Sequence, residues 1–259
     1  MEPFCLKGVD DLRLKFICCN VMTRMACLAV AHSVNTVDLQ FMPLNLHVEP
    51  DKMREFLQKE IDVVDAGPED YDAIILGFGL CGNGTAGLVS QRFKMVIPRA
   101  HDCCTLFMGS TDAFLKRFED HLSAGWSSHG YSERYGEMST ATDGCTPYGS
   151  EMGFDKMVES YGEENARYLW DMLHPVHLEE PHIYIKVDPF ENLGLFEKYQ
   201  QRIAEDEAWR GYKKEMDTPQ GSMRMITMLV DGQWNKEFSV IEPGKSIEPN
   251  YDLRQVFRS

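Results

Sequence analysis

Along the N-terminal part of the chain the apolar positions switch repeatedly between a two-residue and a 3.6-residue period. Arg13 to Asn20 alternates and then turns apolar, which predicts a strand ending at the pair Cys18-Cys19. Val21, Met22, Met25, Ala26, Ala29 and Val30 then form a helical stripe within residues 21–34. Val37 to Met42 reads as a second strand, stopped by Pro43. Pro50-Asp51 opens a helix with Met53, Phe56, Leu57, Ile61 and Val64 on one face, and Gly67-Pro68 closes it. Ala73 to Leu76 is a third strand, Thr85 to Ser90 a short helix and Phe93 to Ile97 a fourth strand. This alternation predicts an α/β fold: an open, mostly parallel, Rossmann-like sheet with helices on both faces.

Further along, Thr105 to Leu122 reads as a helix with Leu106, Phe107, Phe114, Leu115, Phe118 and Leu122 available for packing. Residues 123–150 are rich in Ser, Gly, Thr and Tyr and lack periodicity, so they read as a long loop that closes over a site. Helical pattern resumes from Phe154 to Leu173, His182 to Val187 alternates like a strand, and Leu193 to Ala208 is a charged amphipathic helix. Ser222 to Val230, the turn Asp231-Gly232 and Gln233 to Val240 read as a C-terminal hairpin. From Glu242 the chain looks irregular. The expectation is a single α/β domain over residues 1–259, with sub-lobes 1–122 and 150–259 joined by the loop 123–149.

Composition narrows the function classes. With 259 residues, 43% hydrophobic and 26% charged, the chain has the makings of a sizeable core. A net charge of −15 argues against a nucleic-acid backbone as partner. No run approaches the roughly 20 apolar residues of a membrane span, and no secretory apolar segment opens the chain, so a cytoplasmic location is expected. Eight cysteines and fifteen methionines then suit a reducing compartment, and the adjacent pairs Cys18-Cys19 and Cys103-Cys104 are poorly placed for simple cross-links.

The chemistry is expected at the carboxyl ends of the strands. That rim gathers Cys19 from the first strand, His47 shortly after the second, Cys81 after the third, and His101, Asp102 and Cys103 after the fourth. Thiols with an imidazole suit a borderline-soft ion such as zinc, so Cys19, Cys81, His101 and Cys103 are the candidate metal ligands. Cys18, Cys27 and Cys104 read as ordinary packing. Cys81 in a strand-to-turn position equally resembles an activated nucleophile with His101 as base. Gly77-Phe78-Gly79-Leu80-Cys81-Gly82 also fits the dinucleotide fingerprint, with Asp102 about 20 residues on. Gly79, Gly82, Asn83 and Gly84 are therefore the cofactor-binding candidates, against the plainer reading of a tight turn. His101, Asp102 and Arg99 are the catalytic candidates, with Arg99 holding an anionic group. Cys145 and His129 offer a second wall from the long loop. Its aromatics, Trp126, Tyr131, Tyr135 and Tyr148, read as anchors. Pro175 breaks any helical pairing of His174 with His177.

The string Gly77 to Leu88, followed by Ile97-Pro98-Arg99-Ala100-His101-Asp102-Cys103, resembles the hallmark of the domain of unknown function family numbered 1638. Cys19 after the first strand, Leu46-His47, Gly125-Trp126 and Tyr161 to Ala166 are similar to further segments of that family, while Asn20 and Cys104 depart from its pattern. The resemblance implies a setting rather than an activity: corrinoid-dependent methyltransferase systems of anaerobic one-carbon metabolism. The reading that joins it to the residues is a zinc-binding methyl-transfer enzyme or accessory acting on a small molecule beside a corrinoid protein or methyltransferase. The alternatives are a non-catalytic partner that binds a corrinoid or an iron–sulfur cluster and, further off, a nucleotide-binding oxidoreductase.

Overall fold

A computed structural model describes residues 11–44, 46, 49–119, 125–134, 158–159, 162–167, 181–211, 213–250 and 256–258. β1 (Arg13–Cys19), β2 (Thr36–Met42), β3 (Ala73–Gly77), β4 (Met95–Pro98) and β8 (Phe238–Ile241) form one sheet in the order β2-β1-β3-β4-β8. All neighbours are parallel except β4 and β8. The register opposes Cys19 to Met42 and Cys18 to Gly77, so the ends of β1, β2 and β3 form one rim. β3 is buried at all five residues, Ala-Ile-Ile-Leu-Gly, as a central parallel strand should be.

The two faces of the sheet carry separate cores. On one, Phe16, Cys18, Ile75 and Val96 pack with α1 (Thr23–His32), α3 (Cys103–Met108), α4 (Thr111–Phe118) and α7 (Arg224–Val230). On the other, Ile17, Ile74, Leu76, Met95 and Ile97 meet Met53, Leu57 and Ile61 of α2 (Pro50–Ala66). The sequence's α/β expectation, helices on both faces of a mostly parallel sheet, is what the structure has. A second, wholly parallel sheet, β5 (Trp126–Ser128), β6 (His182–Ile185) and β7 (Met216–Asp217), lies against the first core through Trp126, Ile183 and Ile185. α5 (His129–Glu133), α6 (Leu195–Arg210) and the 3₁₀ turns Asn20–Met22 and Glu191–Leu193 are further elements.

Four expectations from the pattern are corrected. The predicted hairpin is a helix followed by a strand: Met225, Ile226, Leu229 and Val230 are buried on one face of α7, and β8 pairs with β4 instead. Thr85 to Ser90 is a series of turns that ends in a bridge from Val89 to Ser246. Gly87 there takes φ +81 and donates to Ile247, which a helix would forbid. The helix predicted from Thr105 is two helices broken at Gly109, which takes φ +79 and lies against Ser222. Finally, residues 125–134 of the expected lid are a buried strand and helix, because Trp126, His129 and Tyr131 all sit in the interior. The rest of that loop, with Tyr135, Cys145 and Tyr148, falls outside the described residues, as do His174, His177 and most of the helix predicted from Phe154.

Ser110 restarts the chain as α4 by accepting a hydrogen bond at Oγ from the Ala113 N–H at 3.0 Å. Ser110→Ala is expected to lower stability by about 1 kcal/mol, read from the urea midpoint at unchanged slope.

Candidate functional site

Glycine builds the rim before any reactive group reaches it. A Cβ on Gly79 would stand 2.7 Å from the Asp102 nitrogen and 2.8 Å from the Ala100 oxygen. With hydrogen there instead, Leu80 and Cys81 donate to the carbonyls of Ala100 and His101, both at 2.8 Å. The two loops close like a short ladder and carry Cys81 beside Asp102 and Cys103. Cys81 and Asn83 take φ +47 and +73, unusual for residues with a side chain. Gly84 lies against the Met53 side chain, where a Cβ would come within 2.5 Å.

Asp102 is the extended N-cap of α3, and its Oδ1 accepts from Cys104 N–H at 2.9 Å and Thr105 N–H at 3.4 Å. Cys103, the first helical residue, places its Sγ 2.9 Å from the Tyr131 hydroxyl. Tyr131 is 1% exposed and is held edge-on by Trp126 at a ring separation of 5.1 Å. These groups, with Cys19 at the end of β1, line one cavity of about 190 Å³. Pro43, Leu46, Met53, Phe78 and Trp126 form its apolar walls.

The acids in this cavity suppress one another's ionisation. Burial pushes the Cys19 thiol up to about 11, although the Val21 N–H and Arg134 pull the other way. Cys81 and Cys103 are raised first by burial and then by Asp102 and by neighbouring thiols. Tyr131 is raised by burial and by the charges that Cys103, Cys19 and Asp102 would carry. Even Asp102, with two N–H donors, is raised by burial. At neutral pH the thiols are therefore protonated, which is the wrong state for an activated nucleophile. A cation in the cavity would reverse the balance for the whole set.

Cys19, Cys81, Asp102 and Cys103 are the sequence candidates that this cavity brings together, with Gly82 on its wall. His101 is not among its lining residues: its carbonyl takes the Cys81 N–H, while its Nε2 is buried without a partner among the described residues. Arg99 lines a different groove. His47 falls outside the described residues. Among the described residues, no three His, Cys, Asp or Glu side chains already form an array that could hold a metal ion. The dinucleotide reading of Gly79, Gly82, Asn83 and Gly84 loses its main element, because turns rather than a helix N-terminus follow β3. Asn83 instead gives its carbonyl to Arg54 at 2.9 Å.

Tyr131 was legible only as a loop anchor. Nothing in its spacing links it to Cys103, 28 residues earlier.

Residues 41–165 match the family described as a protein of unknown function, DUF1638. That stretch of the chain is similar to the DUF1638 family. The DUF1638 segment contains Cys81, Asp102, Cys103 and Tyr131, while Cys19 comes from the strand before it. No curated protein and no solved structure matches the chain. Among the described residues, no helix is long and apolar enough to cross a membrane.

Proposed function

We propose that the rim cavity binds a soft divalent ion, zinc first, through Cys19, Cys81 and Cys103, and that the site serves methyl transfer to or from a small thiol or similar soft nucleophile. The observation that carries this reading is the convergence of three thiols from three strand ends on one cavity, where Cys19 raises the pKa of Cys81, and both raise that of Cys103. The donor set fits: thiolates are what a borderline-soft ion takes, and charge neutralisation would relieve their repulsion.

Zinc in such a site supplies a Lewis acid that lowers the pKa of a thiol or water at its open position. The chain's own groups divide the remaining work. Tyr131 orients Cys103 through their 2.9 Å contact. Asp102 has Oδ1 committed to backbone N–H groups, which leaves Oδ2 to hold or deliver a proton. Trp126, Phe78 and Met53 keep water from an apolar group the size of a methyl thioether. About 190 Å³ is too little for a corrinoid ring, so the corrinoid in this proposal stays on a partner protein in one-carbon metabolism. An iron–sulfur cluster asks for four thiolates. The three described thiols lining the cavity favour a single ion.

The test is metal analysis of anaerobically purified protein. About one equivalent of zinc is expected, with proton release when zinc is added to metal-free protein at neutral pH. Cys81→Ser and Cys103→Ser should keep the wild-type circular dichroism and hold far less zinc. Wild-type protein that takes up no zinc, or folded variants that retain a full equivalent, would sink the proposal.

A further inference from the structure

Arg99 carries a charge that the proposed metal site does not use. Its guanidinium is held by two backbone carbonyls, of Phe238 through Nε at 3.4 Å and of Phe257 through Nη1. Its backbone is held as well: its N–H donates to Glu237 at 2.7 Å, and its carbonyl accepts from the Thr111 hydroxyl at 3.0 Å. The side chain is thus fixed in place, yet no acidic side chain among the described residues meets it. Burial lowers its pKa with no carboxylate to offset the loss. A partly desolvated, unpaired cation is unfavourable unless an anion comes to it.

Three more cations from separate segments line the same groove of about 880 Å³: Arg224 at the start of α7, Lys236 in the turn before β8, and Arg258. Against these four stand Asp112 and Glu237 on the lining, and Glu248, whose Oε2 lies 3.9 Å from Arg258 Nη1 across an exposed contact. Glu237 is already engaged by the fork of Arg224, with Nη1–Oε1 at 3.1 Å and a second bond through Nη2. Lys236 is exposed and has no partner among the described residues. The groove has a surplus of positive charge on a chain whose net charge is −15, so general surface composition does not account for it. Ser110, the N-cap of α4, and Thr111, its first residue, lie on the same wall and add the positive end of that helix.

We infer that this groove is a second site, which binds the phosphate or carboxylate end of a small anionic molecule between Arg99, Lys236 and Arg258. The uncommitted Nη2 of Arg99 offers planar donors suited to either oxyanion, and the mobile ammonium of Lys236 supplies charge without directional demand. The groove is large enough for the organic part of such a molecule as well as its charged end.

Calorimetric titration at low ionic strength tests this, with inorganic phosphate in one arm and succinate in the other. Saturable binding of one equivalent of either is expected, and the tighter arm identifies the group for which the site is built. Lys236→Gln should weaken binding severalfold, and Arg99→Gln about tenfold or more. Arg99 also braces β8, so Lys236→Gln and Arg258→Gln, at exposed positions, carry the test if Arg99→Gln fails to fold. Added salt should weaken binding in parallel. Cys81→Ser should leave it unchanged, which separates this site from the metal proposal. No saturable binding in either arm, or equal binding by wild type, Lys236→Gln and Arg258→Gln, would overturn the inference.

Discussion

Gly130→Ala is expected to cost about 3 kcal/mol or more, while Gly125→Ala, five residues away, should change stability little. A Cβ on Gly130 would stand 1.9 Å from the Val21 carbonyl oxygen. That oxygen belongs to the short 3₁₀ turn Asn20–Met22 that follows Cys19, so its neighbours cannot give way as a flexible side chain would. At Gly125 nothing among the described residues lies within 4 Å of the added atom. The pair isolates steric closeness from the general entropy loss of replacing glycine. The effect should reach the candidate site too, because α5 must back away from the turn and carry Tyr131 off Cys103. Urea unfolding gives the stability difference, and zinc titration reports the displaced site. Equal stability of the two variants would contradict the close approach of α5 to the turn.

The second large effect is an acid lability centred on His129. Its side chain is 3% exposed, both ring nitrogens lack partners among the described residues, and it packs against Phe107 and Phe190 at 5.4 and 4.5 Å between ring centres. Burial, with a smaller push from the Arg24 charge, lowers its pKa from 6.5 to about 4. The unfolded chain therefore binds a proton at a pH where the folded chain does not. The stability from keeping this imidazole neutral is full above pH 6.5 and is lost as pH falls toward 4. The loss amounts to about 3 kcal/mol for this one group. In His129→Leu this component should vanish, so wild type and variant should differ in the slope of stability against pH between 6.5 and 4. Carboxylates such as Asp38, held low by Tyr71 and Arg13, titrate in both proteins and cancel in the comparison. Parallel slopes would show that the imidazole is hydrated or paired in solution.

Both predictions concern Trp126 to Glu133, where sequence reading was least successful. The segment has the Ser- and Gly-rich character of a loop, yet Ser127, Ser128, His129 and Ser132 are all buried. Composition measures average preference for water, and here a parallel pairing with β6 overrides it by burying a short polar strand. The misread hairpin has a different cause. Met225, Ile226, Met228, Leu229 and Val230 form an apolar run too short for its period to separate helix from strand, and packing of α7 against α1 decides it. By contrast, β1, β2 and α2 are long enough to show a pattern of their own, and β3 and β4 are short buried apolar runs set off by flanking turn residues.

The candidate site divides along the same line. Local pattern was enough to put Cys19, Cys81 and Cys103 at the carboxyl ends of neighbouring parallel strands, because strand ends and turn glycines are marked within a few residues. It could not say which way the residues between Pro98 and Cys103 face. Tertiary structure sends Arg99 toward β8 and the 880 Å³ groove, leaves the His101 side chain outside the thiol cavity, and turns Asp102 and Cys103 inward as the cap and first residue of α3. Successive side chains on extended backbone point to opposite sides, so a reading by adjacency merges groups that the fold separates. Tyr131 shows the converse. It reaches Cys103 only because Gly79 and Gly130 let backbone segments approach more closely than any side chain would allow.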